Sequence, residues 1–195
     1  MDEDEKLRYP IGRENEQNAF DREFNEELKS LLINDLRMLP QSLEFAIQNL
    51  DEQQLQTPYR PGGWTVHQLV HHVADSHINA YVRFKLGLTE SNPTIKPYEQ
   101  ELWANLSDSE KLPVNISITL LHALHKRWCE LLENMTESEW QRTVYHPERK
   151  VQLSLWDLLK SYAWHSRHHA AHILKLRERM NWKLVLSRKK LTVFY

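Results

Sequence analysis

His165 and His169 stand four residues apart in Trp164-His165-Ser166-Arg167-His168-His169-Ala170-Ala171-His172. On a helix, side chains at i and i+4 lie on one face, one turn apart. A single metal ion can therefore take both imidazoles. On a wheel of 100° per residue, Leu155, Leu158, Tyr162, Ile173, Leu176 and Met180 define an apolar face. His165, His169 and His172 fall within that face, and His168 falls at its edge. Inward imidazoles need partners, because an unpaired buried polar group is costly. A metal ion is one such partner; carbonyls, tyrosines and water are the bland alternative, which would be preferred for a single histidine. Ser166 follows His165, so the His-Glu-x-x-His motif of zinc proteases is absent and that class is disfavoured.

A third ligand can come from Val66-His67-Gln68-Leu69-Val70-His71-His72-Val73-Ala74-Asp75-Ser76-His77. His72 shares a side with Leu69, Ser76, Asn79 and Arg83, a polar face suited to lining a pocket. Spacing alone does not choose between His71 and His72. His67 and His77 read as solvated surface residues. Asp75 is a candidate to orient a ligand histidine or to accept a proton. Three neutral imidazoles with open positions form a catalytic pattern rather than a closed structural one. Zinc is the default ion, and nickel, iron, cobalt or manganese would also accept nitrogen ligands.

The elements that must position these residues are helical. The chain of 195 residues holds only four glycines and shows little strict apolar alternation, so an all-α domain is expected. Helical spacing covers about Asp21 to Leu50, with a kink or break expected at Pro40. A capping box at Thr65 and Gln68, with Trp64 and Leu69 placed as a hydrophobic staple, starts a helix reaching about Leu88. A third helix runs from about Ser117 to Met135, with Leu120, Leu121, Leu124, Trp128, Leu131 and Leu132 as its buried stripe. A capping box at Thr136 and Glu139 starts a short helical turn. A fourth long helix, capped by Ser154 and Asp157, reaches about Asn181. Asp51 to Arg60 reads as a connection, Glu99 to Asn105 as a short helix, Ser107 to Asn115 as a loop, and Tyr145 to Arg149 as a turn with short extended flanks. The long connection from Thr89 to Asn115 lets the second and third long helices run parallel. A four-helix bundle of non-meander, up-down-down-up topology is the expected fold. One domain is expected over residues 1–182, with an N-terminal arm at 1–18 and a tail at 183–195.

Net charge is −2 and the isoelectric point is near 6.6, so no global field draws the chain to nucleic acid or an anionic membrane. No apolar run approaches a membrane span. The acidic start, Met1 to Lys6, is unlike a signal peptide. Cys129 is the single cysteine; it excludes an intrachain disulfide and a multi-thiolate metal site, and suggests a cytoplasmic location.

Three segments carry a resemblance: Pro58-Tyr59-Arg60-Pro61-Gly62-Gly63-Trp64-Thr65-Val66, His71-His72-Val73-Ala74-Asp75-Ser76-His77 and Trp164-His165-Ser166-Arg167-His168-His169. With Tyr9-Pro10-Ile11-Gly12, Tyr81 to Lys85, Lys96-Pro97-Tyr98 and Tyr145-His146-Pro147, they make the chain resemble the DinB superfamily. The likeness is greatest to its YfiT-like branch of metal-dependent hydrolases, which includes bacillithiol S-transferases. Arg167 and the longer tail beyond Trp182 depart from that pattern. The resemblance implies a non-meander four-helix bundle, a homodimer, and one divalent ion per chain, zinc or nickel. It implies His72, His165 and His169 as the ligands, choosing His72 over His71 by analogy. The implied chemistry is activation of water, giving hydrolysis, or of a low-molecular-weight thiol, giving S-transfer to a small electrophile. Arg83 is the candidate to bind the substrate's carboxylates, with a surface salt bridge as its ordinary alternative. A non-enzymatic metal- or ligand-binding dimeric bundle is the competing expectation.

Overall fold

A computed structural model describes residues 3–14 and 23–184. Four long helices dominate: α2 (Glu26–Ile47), α4 (Val66–Thr89), α7 (Asn115–Glu133) and α9 (Leu155–Arg179). Between them lie α1 (Glu3–Arg8), α3 (Glu52–Leu55), α5 (Gln100–Trp103), α6 (Ser107–Lys111) and α8 (Glu137–Trp140). One antiparallel hairpin, β1 (Thr143–His146) with β2 (Val151–Ser154), precedes α9. The expected capping boxes at Thr65, Thr136 and Ser154 all form reciprocally. Asn181 ends α9 with a φ of 55°. The N–H of Trp182 reaches back to the carbonyl of Arg177 at 2.9 Å, the left-handed closure of a helix end.

Several local expectations change. The segment from Ser107 contains α6, and the connection after Asp51 contains α3, started by a further capping box of Asp51 and Gln54. Leu120 is exposed. The buried stripe of α7 is instead Ile118, Leu121, His125, Trp128, Cys129 and Leu132, at the i, i+3, i+4, i+7 spacing of one helical face. Helix α2 runs unbroken through Pro40. Proline supplies no N–H for the carbonyl four residues earlier, which is that of Leu36. That carbonyl accepts instead from Nδ1 of His125, at 2.5 Å, so the helix continues with no orphaned oxygen. Residues 1–2 and 15–18 of the arm, the expected helix start at 21–22, and 185–195 of the tail lie outside the described residues.

Paired contacts define the topology. Helix α2 packs on α7 and α9, and α4 packs on the same two, so α2 and α4 sit on one diagonal, α7 and α9 on the other, and the consecutive α4 and α7 are neighbours. Ile33 meets Cys129 and Glu44 meets His122, so α2 and α7 are antiparallel. His71 meets Ser117 and His77 meets His125, so α4 and α7 are parallel. His77 meets His165 and Arg83 meets Tyr162, so α4 and α9 are antiparallel. The order is up-down-down-up. The apolar core is in two parts: one holds Leu36, Phe84, Trp128 and Leu159, the other Leu43, Val70, Leu121 and Ile173. A layer of imidazoles lies between them. No helix among the described residues is long and apolar enough to cross a membrane.

Candidate metal centre

One face of α4 and one face of α9 meet in that layer. His72, His165 and His169 each offer a ring nitrogen there, all within 4.8 Å of one another. Nε2 of His165 and Nε2 of His169 are 3.1 Å apart. Nitrogens held about 2.0–2.1 Å from a tetrahedral zinc ion lie about 3.4 Å from each other, so the three rings need little movement to share an ion. Burial holds them in the neutral form that ligates. It pushes His72 down to about 3 and His165 and His169 well below the ordinary imidazole range, with neighbouring imidazoles adding to the shift in the latter two. Nδ1 of His169 is buried with no hydrogen-bond partner among the described residues. Three facing neutral nitrogens with no carboxylate among them are a donor set for a divalent cation.

Trp64, just ahead of the α4 cap, lies over His72 with ring centroids 4.3 Å apart and donates its indole N–H to Glu101. This is a role that the capping pattern does not disclose. A cavity of about 290 Å³ opens beside the histidines, lined also by Ser76, Arg83, Tyr98, His146, Arg149 and Tyr162. Arg83 donates to the Tyr162 hydroxyl at 2.8 Å and to the Lys96 carbonyl at 3.3 Å. Its Nε is buried without a partner, and no carboxylate among the described residues pairs with it.

The other histidines separate cleanly. Both nitrogens of His71 are engaged, with the Ser117 hydroxyl at 2.8 Å and the Leu112 carbonyl at 3.0 Å. His172 donates to the carbonyl of Arg8 and packs on Tyr59, tying the N-terminal arm to α9. His168 is buried rather than marginal and stacks on Trp164.

His67 and His77 are not solvated: both are buried, His77 completely. Helix α6 and the chain after it cover the His67–His71 side of α4, while His77 faces α7 and α9. Nε2 of His77 lies 3.1 Å from Nδ1 of His165. The signal for His77 was present in the spacing, since Val70, Val73, Ala80 and Phe84 share its face.

Asp75 does not line the cavity. It is half-buried beside Asp108 of α6, and desolvation, helped by that like charge, raises its carboxyl to about 6. The group against Nδ1 of His165 is His77, not a carboxylate. Because the folded carboxyl binds its proton more tightly than the unfolded one, ionised Asp75 opposes folding at neutral pH, and protonation relieves that opposition as pH falls from about 6 towards 4. Asp75→Asn is expected to raise stability at pH 7 by about 1 kcal/mol, allowing for solvent screening of a half-exposed group. Thermal melts at pH 7 and pH 4.5 check this, since the gain must shrink at the lower pH.

The sequence profile of the DinB superfamily matches residues 35–173, a span that includes all three histidines. A Bacillus cereus protein named "Putative metal-dependent hydrolase" is 52% identical over 90% of this chain and 98% of its own length. A Bacillus anthracis protein of the same name matches with the same identity and coverage. Among solved structures, YfiT from Bacillus subtilis is described as "a probable metal-dependent hydrolase with an unusual four-helix bundle topology". It superposes with a TM-score of 0.86 at 44% identity, covering 91% of this chain and 99% of that one. The sequence match and the shared bundle topology agree: this chain belongs to the DinB superfamily.

Proposed function

We propose that the chain is a metal-dependent enzyme in which His72, His165 and His169 hold one divalent ion, zinc or nickel, and in which water or a low-molecular-weight thiol is activated for attack on a small electrophile. The observation that carries this reading is the meeting of three neutral imidazole nitrogens at the wall of an open cavity. A bound ion supplies a Lewis acid that acidifies water or a thiol towards neutral pH. The chain's own residues do the rest. Burial keeps the imidazoles unprotonated, Trp64 shields His72, and Arg83, joined at the cavity wall by Arg149, offers positive charge to a substrate's anionic groups. The guanidinium groups of Arg83 and Arg149 at the cavity wall favour a carboxylate-bearing substrate, whose charge they would pair.

The relatives' names favour hydrolysis, and the thiol reaction is the finer alternative for the same site. A paired assay separates them. Zinc- or nickel-loaded protein is given monochlorobimane with bacillithiol, glutathione or cysteine, and thiol consumption is followed beside hydrolysis of ester and amide substrates. Metal-dependent thiol loss identifies a transferase; metal-dependent hydrolysis alone identifies a hydrolase; neither leaves a metal-binding bundle. Arg83→Ala is expected to raise KM for a carboxylate-bearing substrate by about 10-fold or more, as loss of a charge-assisted hydrogen bond requires.

A homodimer is part of the same reading. Leu31, Met38 and Phe45 are exposed at seven-residue spacing along α2, an apolar stripe suited to a second copy. A cytoplasmic setting is supported by a free, buried Cys129, whose thiol burial pushes up to about 11.

A further inference from the structure

Two buried histidines outside the three proposed ligands form a chain that begins at a backbone carbonyl. His125 Nδ1 lies 2.5 Å from the Leu36 oxygen, His125 Nε2 lies 3.1 Å from His77 Nδ1, and His77 Nε2 lies 3.1 Å from His165 Nδ1. A carbonyl can only accept, so His125 carries its proton on Nδ1. A neutral imidazole has one N–H and one lone pair, so His125 Nε2 accepts and His77 Nδ1 donates. The same step repeated leaves His77 Nε2 accepting, His165 Nδ1 donating, and His165 Nε2 without a proton. Among the described residues, no carboxylate pairs with His77 or His125 to favour a charge. Their rings meet each other and Trp128, and His77 also meets Tyr162.

We propose that His77 and His125 are positioning residues: the Leu36 carbonyl, left free by Pro40, fixes the tautomer of His125, and the setting passes through His77 to hold the Nε2 lone pair of His165 towards His72 and His169. The role of orienting a ligand histidine commonly falls to a carboxylate or a carbonyl in direct contact. Here the carbonyl acts across two rings. A reversed tautomer at any position would set two lone pairs, or two N–H groups, against each other in a buried layer. Pro40 has a role in this scheme, because an ordinary residue there would offer its own N–H to the Leu36 oxygen. The inference rests on reading His165 as a ligand, but the tautomers can be measured without a metal.

The test is the side-chain ¹⁵N spectrum of metal-free protein at neutral pH, with zinc titration of His77 variants. His125, His77 and His165 are expected to be Nδ1-protonated with Nε2 bare. His77→Phe is expected to weaken zinc binding about 10- to 100-fold, the usual cost of losing an orienting partner. His77→Gln, whose amide can both accept from His165 and donate to His125, is expected to restore most of that loss. His165 found as the Nε2–H tautomer would overturn the proposal, as would folded His77→Phe binding zinc as wild type does. If His77→Phe does not fold, the wild-type spectrum decides. Predicted tautomers in a protein that binds no zinc would sink the ligand reading and leave the chain of imidazoles standing.

Discussion

Metal-free protein is expected to unfold in mild acid, with a midpoint between about pH 5 and 6. Burial lowers His72 to about 3, His125 and His172 to about 4, and His168 to about 2. It also lowers His71, His77, His165 and His169. In the unfolded chain these groups return to about 6.5. Below that pH the unfolded chain takes up protons that the folded chain refuses. Stability is therefore full above about pH 6.5 and is lost as pH falls towards the folded values. Each histidine held at about 4 or lower, or well below the ordinary range, forfeits about 1.4 kcal/mol one unit below pH 6.5, so the seven other than His71 together forfeit about 10 kcal/mol. A domain of this kind has about 5–15 kcal/mol in total. The rise in Asp75 acts in the opposite direction but is a single half-exposed group. Circular dichroism against pH with a chelator present checks the midpoint, and a chain still folded at pH 4.5 would contradict it. A bound divalent ion is expected to move the midpoint down by mass action on the folded state.

His72→Ala, His165→Ala and His169→Ala are each expected to lower zinc affinity by more than about 100-fold, beyond the range that outer partners of a metal site account for. Two nitrogens cannot replace three, and each ligand comes from a rigid helix; His71 has both nitrogens engaged, His172 is tied to the arm and His168 is stacked on Trp164. His172→Ala should therefore bind zinc as wild type does. The same three ligand substitutions should lower the acid-unfolding midpoint of metal-free protein, because each removes a group that resists protonation only while folded. Loss of metal together with gain in acid tolerance distinguishes removal of a ligand from general damage.

The pair on α9 was legible because its phase against Leu158, Tyr162, Ile173 and Leu176 put it indoors, and the capping boxes fixed where α4 and α9 begin. The up-down-down-up order was legible in the length of the Thr89–Asn115 connection. The sequence does not mark His77 or His125 as core, although both sit at helical spacing within apolar faces. A histidine in such a face is more often read as surface than as core when its partner is unknown, and here the partners are each other. Pro40 misled for a related reason. The cost of its missing N–H depends on whether another donor reaches Leu36, which only the packing of α7 against α2 decides. Asp75 looked like the orienting group because it is one helical turn from His71 and His72; the helix points it towards α6 instead. The short helices α3 and α6 escaped because elements of one turn carry too little periodicity to register.

Calorimetric titration of metal-free protein with zinc near pH 7.5 reads out the single divalent ion proposed for His72, His165 and His169. One ion per chain is expected for the wild type, and no saturable binding when all three histidines are alanine in a chain that circular dichroism shows to be folded. Stoichiometric binding that survives the triple substitution, or a folded wild type that takes up no zinc and no nickel, would contradict that assignment.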